Sequence, residues 1–444
     1  MINLCFVPCF GKGELYRAIA DKLVNKYKNE IRIYWIVVDK RYKKINVTDK
    51  SIYLDFKIAN NGNYKELKNF RINEILYSDR VLNKNIIKGK QYLINLEYVL
   101  YDYIKENGIN VIIGERAQAH ELLLGRICNL CNELKCQYYS MTDIRIPSFR
   151  FAFFKDEKET EIVEFNNKCD VNEFKLEKPS YLQINDKLQK LNSYFNTNRI
   201  KRILTYIKQI DKNNVSGQQS FCGYVHFVFS RLWNTFWYKT LKREQFNITE
   251  YPNFIFYGFH KQPESSIDVC GRYNENQYID ILNIWRMLPA GWYLILKEHT
   301  NAVGDRKKKF YKSLMKLPGV VLVDEHTDSY KLISNAKITF SVTGTISLEA
   351  GLMNKKAVTL SRTFFNSIST VYNFSFTELE KMSIPDLVEK KEKDNVTQYK
   401  KYILSNSFKG CVLDSYTLPS VLCDENLDKI IYGYDLLFKK IKLL

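Results

Sequence analysis

The chain has 444 residues, 45% hydrophobic and 14% aromatic, with a formal net charge of +18. That length exceeds one ordinary core and that composition excludes a disordered chain, so two folded domains are expected. No apolar run reaches the length of a membrane span, and the basic excess lies in short tracts such as Arg306-Lys307-Lys308-Lys309 and Lys439-Lys440-Ile441-Lys442, without the signature of a nucleic-acid module. Nucleic acid is therefore not an expected partner, whereas an anionic sugar or lipid headgroups are.

The predicted elements alternate from the start. Residues 1–7 have no basic flank and no small-residue cleavage site, so they read as a first strand rather than a signal peptide, and a cytoplasmic location is expected. The strand runs out through Val7-Pro8-Cys9-Phe10-Gly11-Lys12-Gly13 into a helix over 14–28. An apolar strand over 31–39, a helix over 94–107, a strand over 111–114, a helix over 121–134 and a strand over 136–141 follow. Residues 1–150 thus predict a Rossmann-like domain, a parallel sheet with helices on both faces.

Residues 151–250 have another texture and predict a helical connector or insertion. The stretch 183–210 is polar and helical, and 221–241 is aromatic and basic, with Trp233 and Trp237. Packing against the first domain is the preferred reading of the Trp residues, and a membrane-surface helix is the second. Alternation resumes with strands over 253–257, 292–297, 320–323, 336–341 and 357–360 and helices over 277–287, 310–316 and 330–334. Residues 251–425 form a second Rossmann-like domain, and a helix within 426–444 is expected to pack back on the first. The fold class is α/β, two Rossmann-like domains facing a cleft, with ligands at the carboxyl ends of the strands.

One stretch stands out for chemistry: Val342-Thr343-Gly344-Thr345-Ile346-Ser347-Leu348-Glu349-Ala350-Gly351. A strand that turns through hydroxyl residues and glycine into a helix offers backbone N–H groups to an anion. An ordinary capped helix is the competing reading. Two further loops end strands of the same domain, Phe259-His260-Lys261-Gln262-Pro263-Glu264-Ser265-Ser266 and Lys297-Glu298-His299-Thr300. Converging, they would surround a phosphate with an ammonium, an imidazole and hydroxyls. Glu349 reads either as a ribose ligand or as a carboxylate answering the helix dipole.

The stretch 256–365 resembles the bacterial capsular-polysaccharide biosynthesis family, which includes GT-B Kdo transferases. The resemblance rests on Gln262-Pro263-Glu264-Ser265, Leu288-Pro289-Ala290-Gly291-Trp292, Lys297-Glu298-His299, Leu317-Pro318-Gly319-Val320-Val321-Leu322-Val323-Asp324 and Thr343-Gly344-Thr345 with Glu349-Ala350. It implies a GT-B-like pair of domains. It also implies a nucleotide-sugar donor, CMP-linked, whose phosphate is held by the Lys-x-His loop and the Thr-Gly-Thr turn. Gln262, Glu264, Ser265, Lys297, His299, Thr343, Gly344, Thr345 and Glu349 are then the donor-site candidates. The family usually has Pro after the His, where this chain has Thr300.

Sugar transfer that inverts the anomeric centre needs a base for the acceptor hydroxyl. Glu115, just past the strand over 111–114, is the first candidate, and Asp143 is the second. Arg116, Arg145 and Arg150 could hold an anionic acceptor, against the competing reading of surface ion pairs. His120 reads as structural; His226 and His326 have no assigned role. Cys128, Cys131 and Cys136 have metal-like spacing, but no second pair, so packing is preferred over zinc. The chain has no Asp-x-Asp triplet, which fits transfer without a metal, and no cofactor beyond the donor substrate is expected. The leading expectation is a glycosyltransferase acting on a glycan or lipid-linked saccharide acceptor, with peripheral contact at the inner membrane. A nucleotide-sugar epimerase of the same fold and a non-catalytic basic scaffold remain open.

Overall fold

The computed structural model describes residues 1–9, 11–39, 50–62, 64–177, 215, 221–415 and 418–443, with side chains of 221–228 left aside. The expected helix over 183–210 lies outside the described residues, as do Phe10 and the side chain of His226. The chain divides into two compact units, Met1–Phe221 with Lys401–Leu444, and Cys222–Lys400. The divisions fall at 221/222 and 400/401, where 150, 250 and 425 were expected.

In the first unit, β1 (Ile2–Phe6), β2 (Ile31–Val37), β3 (Lys50–Tyr53), β4 (Val111–Gly114), β5 (Gln137–Asp143) and β6 (Arg150–Phe154) lie in one sheet. In the second, β7 (Phe254–Gly258), β8 (Tyr293–Lys297), β9 (Val320–Val323), β10 (Ile338–Ser341), β11 (Ala357–Thr359) and β12 (Val371–Asn373) form another. A late strand, β13 (Phe408–Lys409), returns to the first sheet.

The first sheet has the order β13-β6-β5-β4-β1-β2-β3. It is parallel from β5 to β3, and β6 and β13 add antiparallel edges. The second sheet, β12-β11-β10-β7-β8-β9, is parallel throughout. Its strands are short apolar runs because both faces are covered. Both sheets start in the middle, build outward to one side, then cross to the other side of the first strand. That reversal makes a crevice at the strands' carboxyl ends, between β1 and β4 in one unit and between β7 and β10 in the other.

The domain boundaries differ from expectation for two reasons. Strand β6 pairs with β5, Thr142 opposite Ala152, so residues past 150 belong to the first sheet. The return of β13 opposite Phe151 carries 401–425 out of the second unit. The final helix, Asp424–Lys440, buries Tyr434, Leu437 and Phe438 in the same core as Leu15, Ile19 and Leu23 of the helix Gly13–Tyr27. Lys22 donates to Asp428 at 2.6 Å across the same pair of helices.

The aromatic stretch forms the helix Phe221–Lys239, which belongs to the second unit from Cys222 onward. Tyr238 is buried in that unit's core with Tyr311 and Leu314. Trp233, expected to be packed, is exposed. Cys128, Cys131 and Cys136 are buried, in keeping with packing. Among the described residues, no helix is long and apolar enough to cross a membrane.

Candidate functional site

The crevice of the second unit is organised by His260, which follows β7 and is buried. Its Nε2 accepts from the backbone N–H of Val342 at 3.0 Å and of Thr343 at 3.4 Å. An Nε2 that accepts is unprotonated, so the ring is neutral there. The loop itself is pinned by Gln277, whose Oε1 accepts from His260 N at 2.8 Å while its Nε2 donates to His260 O at 3.2 Å. The imidazole therefore lies directly against the turn after β10. A Cβ on Gly344 would stand 3.3 Å from His260 Cε1 and 3.1 Å from Ser341 Cβ, so the close approach explains the glycine.

Gly344 is the N-cap of the helix Thr345–Leu352, and no side chain caps that end. Ser341 Oγ accepts from Gly344 N at 3.0 Å and lies 2.7 Å from Ser347 Oγ, which fixes the turn from beneath. Thr343 donates its hydroxyl to Ser266 O at 2.6 Å. That corrects the expectation of Thr343 as a hydroxyl donor to phosphate: its proton is already engaged.

The loop after β8 brings the cations. Lys297 Nζ donates to Ser329 Oγ at 3.1 Å. Burial pulls its pKa down, against the opposing charges of Glu349 and Asp328. Glu349 is buried, so the pair of Lys297 and Glu349 sets the electrostatics beside the helix start. His299 accepts at Nδ1 from Asn301 N, 3.2 Å away, leaving Nε2 as its protonated nitrogen in the neutral ring. Burial holds the His299 pKa below the ordinary 6.5, and the Glu264 carboxylate opposes that shift. His299 thus enters as a neutral donor whose proton affinity would rise beside a phosphate.

Thr300 begins the 3-10 turn Thr300–Ala302, capped by His299 itself. This first position of a helical turn is one that Pro fills without losing a hydrogen bond, so Thr there leaves the turn's geometry possible.

Gln262 is committed at both ends, accepting from Gln277 Nε2 at 3.3 Å and donating to Asp268 Oδ1 at 3.1 Å. It shapes the loop rather than reaching outward. Glu264 is exposed and accepts from Ser266 Oγ at 2.9 Å. Ser265 opens the short helix Ser265–Asp268.

The support beneath these loops was not read from the sequence. Glu298 is fully buried and accepts from Arg306 Nη1 at 2.7 Å, Tyr311 Oη at 2.5 Å and His299 N at 2.7 Å. Arg306 also donates to His260 O and lies 5.0 Å from the Phe259 ring centroid. One guanidinium therefore ties the loop after β7 to the loop after β8. Arg306 had been grouped with a surface cationic tract. Its spacing to Glu298, followed by Phe310-Tyr311, was the available signal.

The first unit's crevice holds a different set. Glu115, after β4, forms an ion pair with Lys12, after β1. Burial lowers the Lys12 pKa, but the charge and hydrogen bond of Glu115 outweigh it and push the pKa up, so the ammonium is kept. Behind them Glu121 is buried and accepts from the backbone N–H groups of Glu115 at 2.8 Å, Ala117 at 2.8 Å and Gln118 at 3.1 Å. Burial and the Glu115 charge push the Glu121 pKa up to about 7.

Asp143 ends β5 and accepts from Arg145 N at 2.6 Å. Thr142 Oγ1 donates to Glu159 Oε1 at 2.8 Å, and the Glu159 pKa is raised by burial against the charge of Arg145. Glu159 and Lys12 were not among the sequence candidates; the Gly11-Lys12-Gly13 run at the end of β1 was the signal for the latter.

Two arginines are corrected. Arg116 is buried, donates from Nη2 to Tyr138 O at 2.9 Å and to Lys155 O, and lies 4.8 Å from the Tyr138 ring centroid. It holds β5 to the loop after β6 instead of facing an acceptor. Arg150 likewise donates to Ser407 Oγ at 2.9 Å and Leu404 O at 3.0 Å, and so anchors the returning chain. His120 is buried, and burial lowers its pKa to about 3. The described cluster with metal-like geometry is Asp324, Glu325 and His326, but Arg243 is ion-paired with both carboxylates.

No protein-family model matches the chain, and no curated protein matches it. Among solved structures, it is similar to Thermosulfurimonas dismutans KpsC, β-Kdo 2,7 transferase, at 15% identity over 76% of this chain and 88% of that one, with a TM-score of 0.35. The β-Kdo 2,4 transferase of the same organism's KpsC is 11% identical over 71% and 88%, with a TM-score of 0.36. UDP-GlcNAc 2-epimerase from Methanocaldococcus jannaschii is 11% identical over 89% and 95%, with a TM-score of 0.28. So distant a likeness carries no assignment of activity.

Proposed function

We propose that the chain is a glycosyltransferase of bacterial surface-polysaccharide assembly. It moves an acidic sugar, Kdo or a relative, from a CMP-linked donor to a glycan or lipid-linked saccharide acceptor, without a metal, at the cytoplasmic face of the membrane. The observation that carries this reading is the second unit's crevice. There an uncapped helix start at Gly344, the Lys297 ammonium and the His299 imidazole share the carboxyl edge of one parallel sheet. Backbone dipole, ammonium and imidazole together suit a departing nucleoside phosphate, whose charge grows as the glycosidic carbon–oxygen bond breaks. Glu349, which interacts with Lys297, is the proposed partner of the donor's ribose. The new bond forms from the acceptor hydroxyl oxygen, and its proton passes to a carboxylate. Glu115 is the first choice, released from Lys12 as the acceptor enters, and Asp143 is the second.

The test is a thermal-shift series with CMP, UDP, GDP and ADP, with and without EDTA. Saturating CMP should add roughly 2–4 kcal/mol and raise the melting temperature by several degrees, unchanged by EDTA and sharply reduced in His299→Ala. A shift with UDP alone, accompanied by turnover of a UDP-sugar without acceptor, would replace the transferase by an epimerase. No shift with any nucleotide would leave a scaffold.

A further inference from the structure

The helix Phe221–Lys239 carries no acidic residue, and its two long faces differ. One face holds Arg231, Asn234, Thr235 and Tyr238. Arg231 Nη2 donates to Asn301 O at 2.6 Å, Asn234 Nδ2 donates to Gly304 O at 3.2 Å, and Tyr238 is fully buried. Gly304, at φ 92°, permits this seat: a Cβ there would stand 2.2 Å from Thr235 Oγ1. The other face holds Phe229, Leu232, Trp233 and Phe236, spaced as one stripe and 68%, 62%, 62% and 58% exposed. Trp233 and Phe236 stack with centroids 6.3 Å apart, so the apolar surface is continuous.

A basic rim adjoins this stripe. Lys239, Lys242, Lys307 and Lys309 are exposed, and Lys308 reaches over the Trp237 ring at 4.1 Å while bonding Thr240 Oγ1 at 3.0 Å. The nearby acid Asp305 is already paired with Arg231, and Glu244 with Lys242. A stripe of Phe, Leu and Trp with lysines at its margin is complementary in both polarity and charge to an anionic bilayer surface. A protein partner matched to the apolar stripe alone would leave the exposed Lys239, Lys307 and Lys309 unexplained.

We infer that the stripe Phe229-Leu232-Trp233-Phe236 is a membrane-docking face that inserts into the headgroup region of an anionic bilayer, with Lys239, Lys307 and Lys309 answering its charge. The helix lies in the surface plane; it does not span. Its seat on Asn301–Gly304 follows directly from the Lys297-Glu298-His299 loop. Docking therefore holds that loop at a fixed distance from the lipid.

The experiment is cosedimentation of the full chain with phosphatidylcholine vesicles and with vesicles carrying one-third phosphatidylglycerol, alongside Trp emission and size-exclusion chromatography. The wild type should bind the anionic vesicles at least roughly tenfold more tightly, with a blue shift in Trp emission. Trp233→Ser with Phe236→Ser should abolish binding, and Lys307→Glu with Lys309→Glu should remove the anionic preference, both at unchanged melting temperature. Equal binding by the variants overturns the inference. So does a concentration-dependent dimer that Trp233→Ser dissociates, since that means protein covers the face. Nucleotide binding is read separately, so this outcome is independent of the donor-site test.

Discussion

In the first unit, the crevice beside the leading strand is closed by two opposite charges, Lys12 and Glu115, from the loops after β1 and β4. In the second, the equivalent position is closed by a neutral ring, His260, against two backbone N–H groups after β10. The same topology thus offers two electrostatic settings. An ion pair can open to release a carboxylate, which suits proton transfer. A neutral imidazole holding a glycine turn leaves the field of the helix start to an incoming anion. The division of labour proposed above follows from that contrast.

The contrast breaks most visibly at Lys12. Both members of its pair are mostly buried, so Lys12→Met would strand Glu115, with an expected loss of about 3 kcal/mol in chemical denaturation. Lys12→Met with Glu115→Gln should recover much of that loss. A loss below about 1 kcal/mol in the single variant would mean that the pair is a solvated contact and that the two crevices differ less than drawn. If Glu115 is the base, Glu115→Gln should also cut transfer by at least about 100-fold at intact fold.

His260→Ala tests the second crevice. It leaves two buried N–H groups without their acceptor, for an expected cost of about 2 kcal/mol. The stabilisation by nucleotide should fall with it, because the turn at Gly344 loses the ring it packs on. Retained nucleotide stabilisation in a destabilised variant would separate the turn's integrity from ligand binding.

Two histidines sharpen the comparison through pH. In the first unit, burial takes His120 to about 3, below the ordinary 6.5. Below pH 6.5 the unfolded chain gains a proton that the folded chain refuses, so stability falls as pH drops toward 3. Between pH 6.5 and pH 5 the wild type should lose about 2 kcal/mol more than His120→Leu, read as the difference between their denaturation midpoints. His299 in the second unit is also shifted down, but a bound phosphate would raise it again. Nucleotide affinity should therefore tighten as pH falls through the region below 6.5, and His299→Ala should flatten that dependence.

Local patterning made much of the two sheets legible. Apolar runs such as Ile31–Val37 and Val320–Val323 are continuous because parallel strands are covered on both sides. What escaped was non-local or short. β13 is two residues long, and only its pairing with β6 shows that the chain re-enters the first unit. Arg116 looked like an exposed cation beside Glu115, yet the backbone at φ 67° turns its side chain inward over Tyr138. Trp233 looked like core because aromatic residues usually are, and only the seating of Arg231, Asn234 and Tyr238 fixes which helix face is left outside. The Thr-Gly-Thr turn was legible as a strand-to-helix anion site, but not the ring of His260 beneath it, which comes from 82 residues earlier.

Thr343 gives the smallest and most discriminating test of that turn. From sequence, its hydroxyl was a candidate phosphate donor; in the fold it donates to Ser266 O at 2.6 Å, joining the turn after β10 to the loop after β7. Thr343→Val keeps the shape and removes that bond, for an expected loss of about 1 kcal/mol in stability. Because the proton is engaged within the protein, nucleotide affinity should change by less than about 3-fold, a difference well under 1.4 kcal/mol. A tenfold loss of affinity at unchanged stability would mean that the hydroxyl leaves Ser266 for the ligand. The second crevice would then rearrange on binding, as the ion pair of the first is proposed to do.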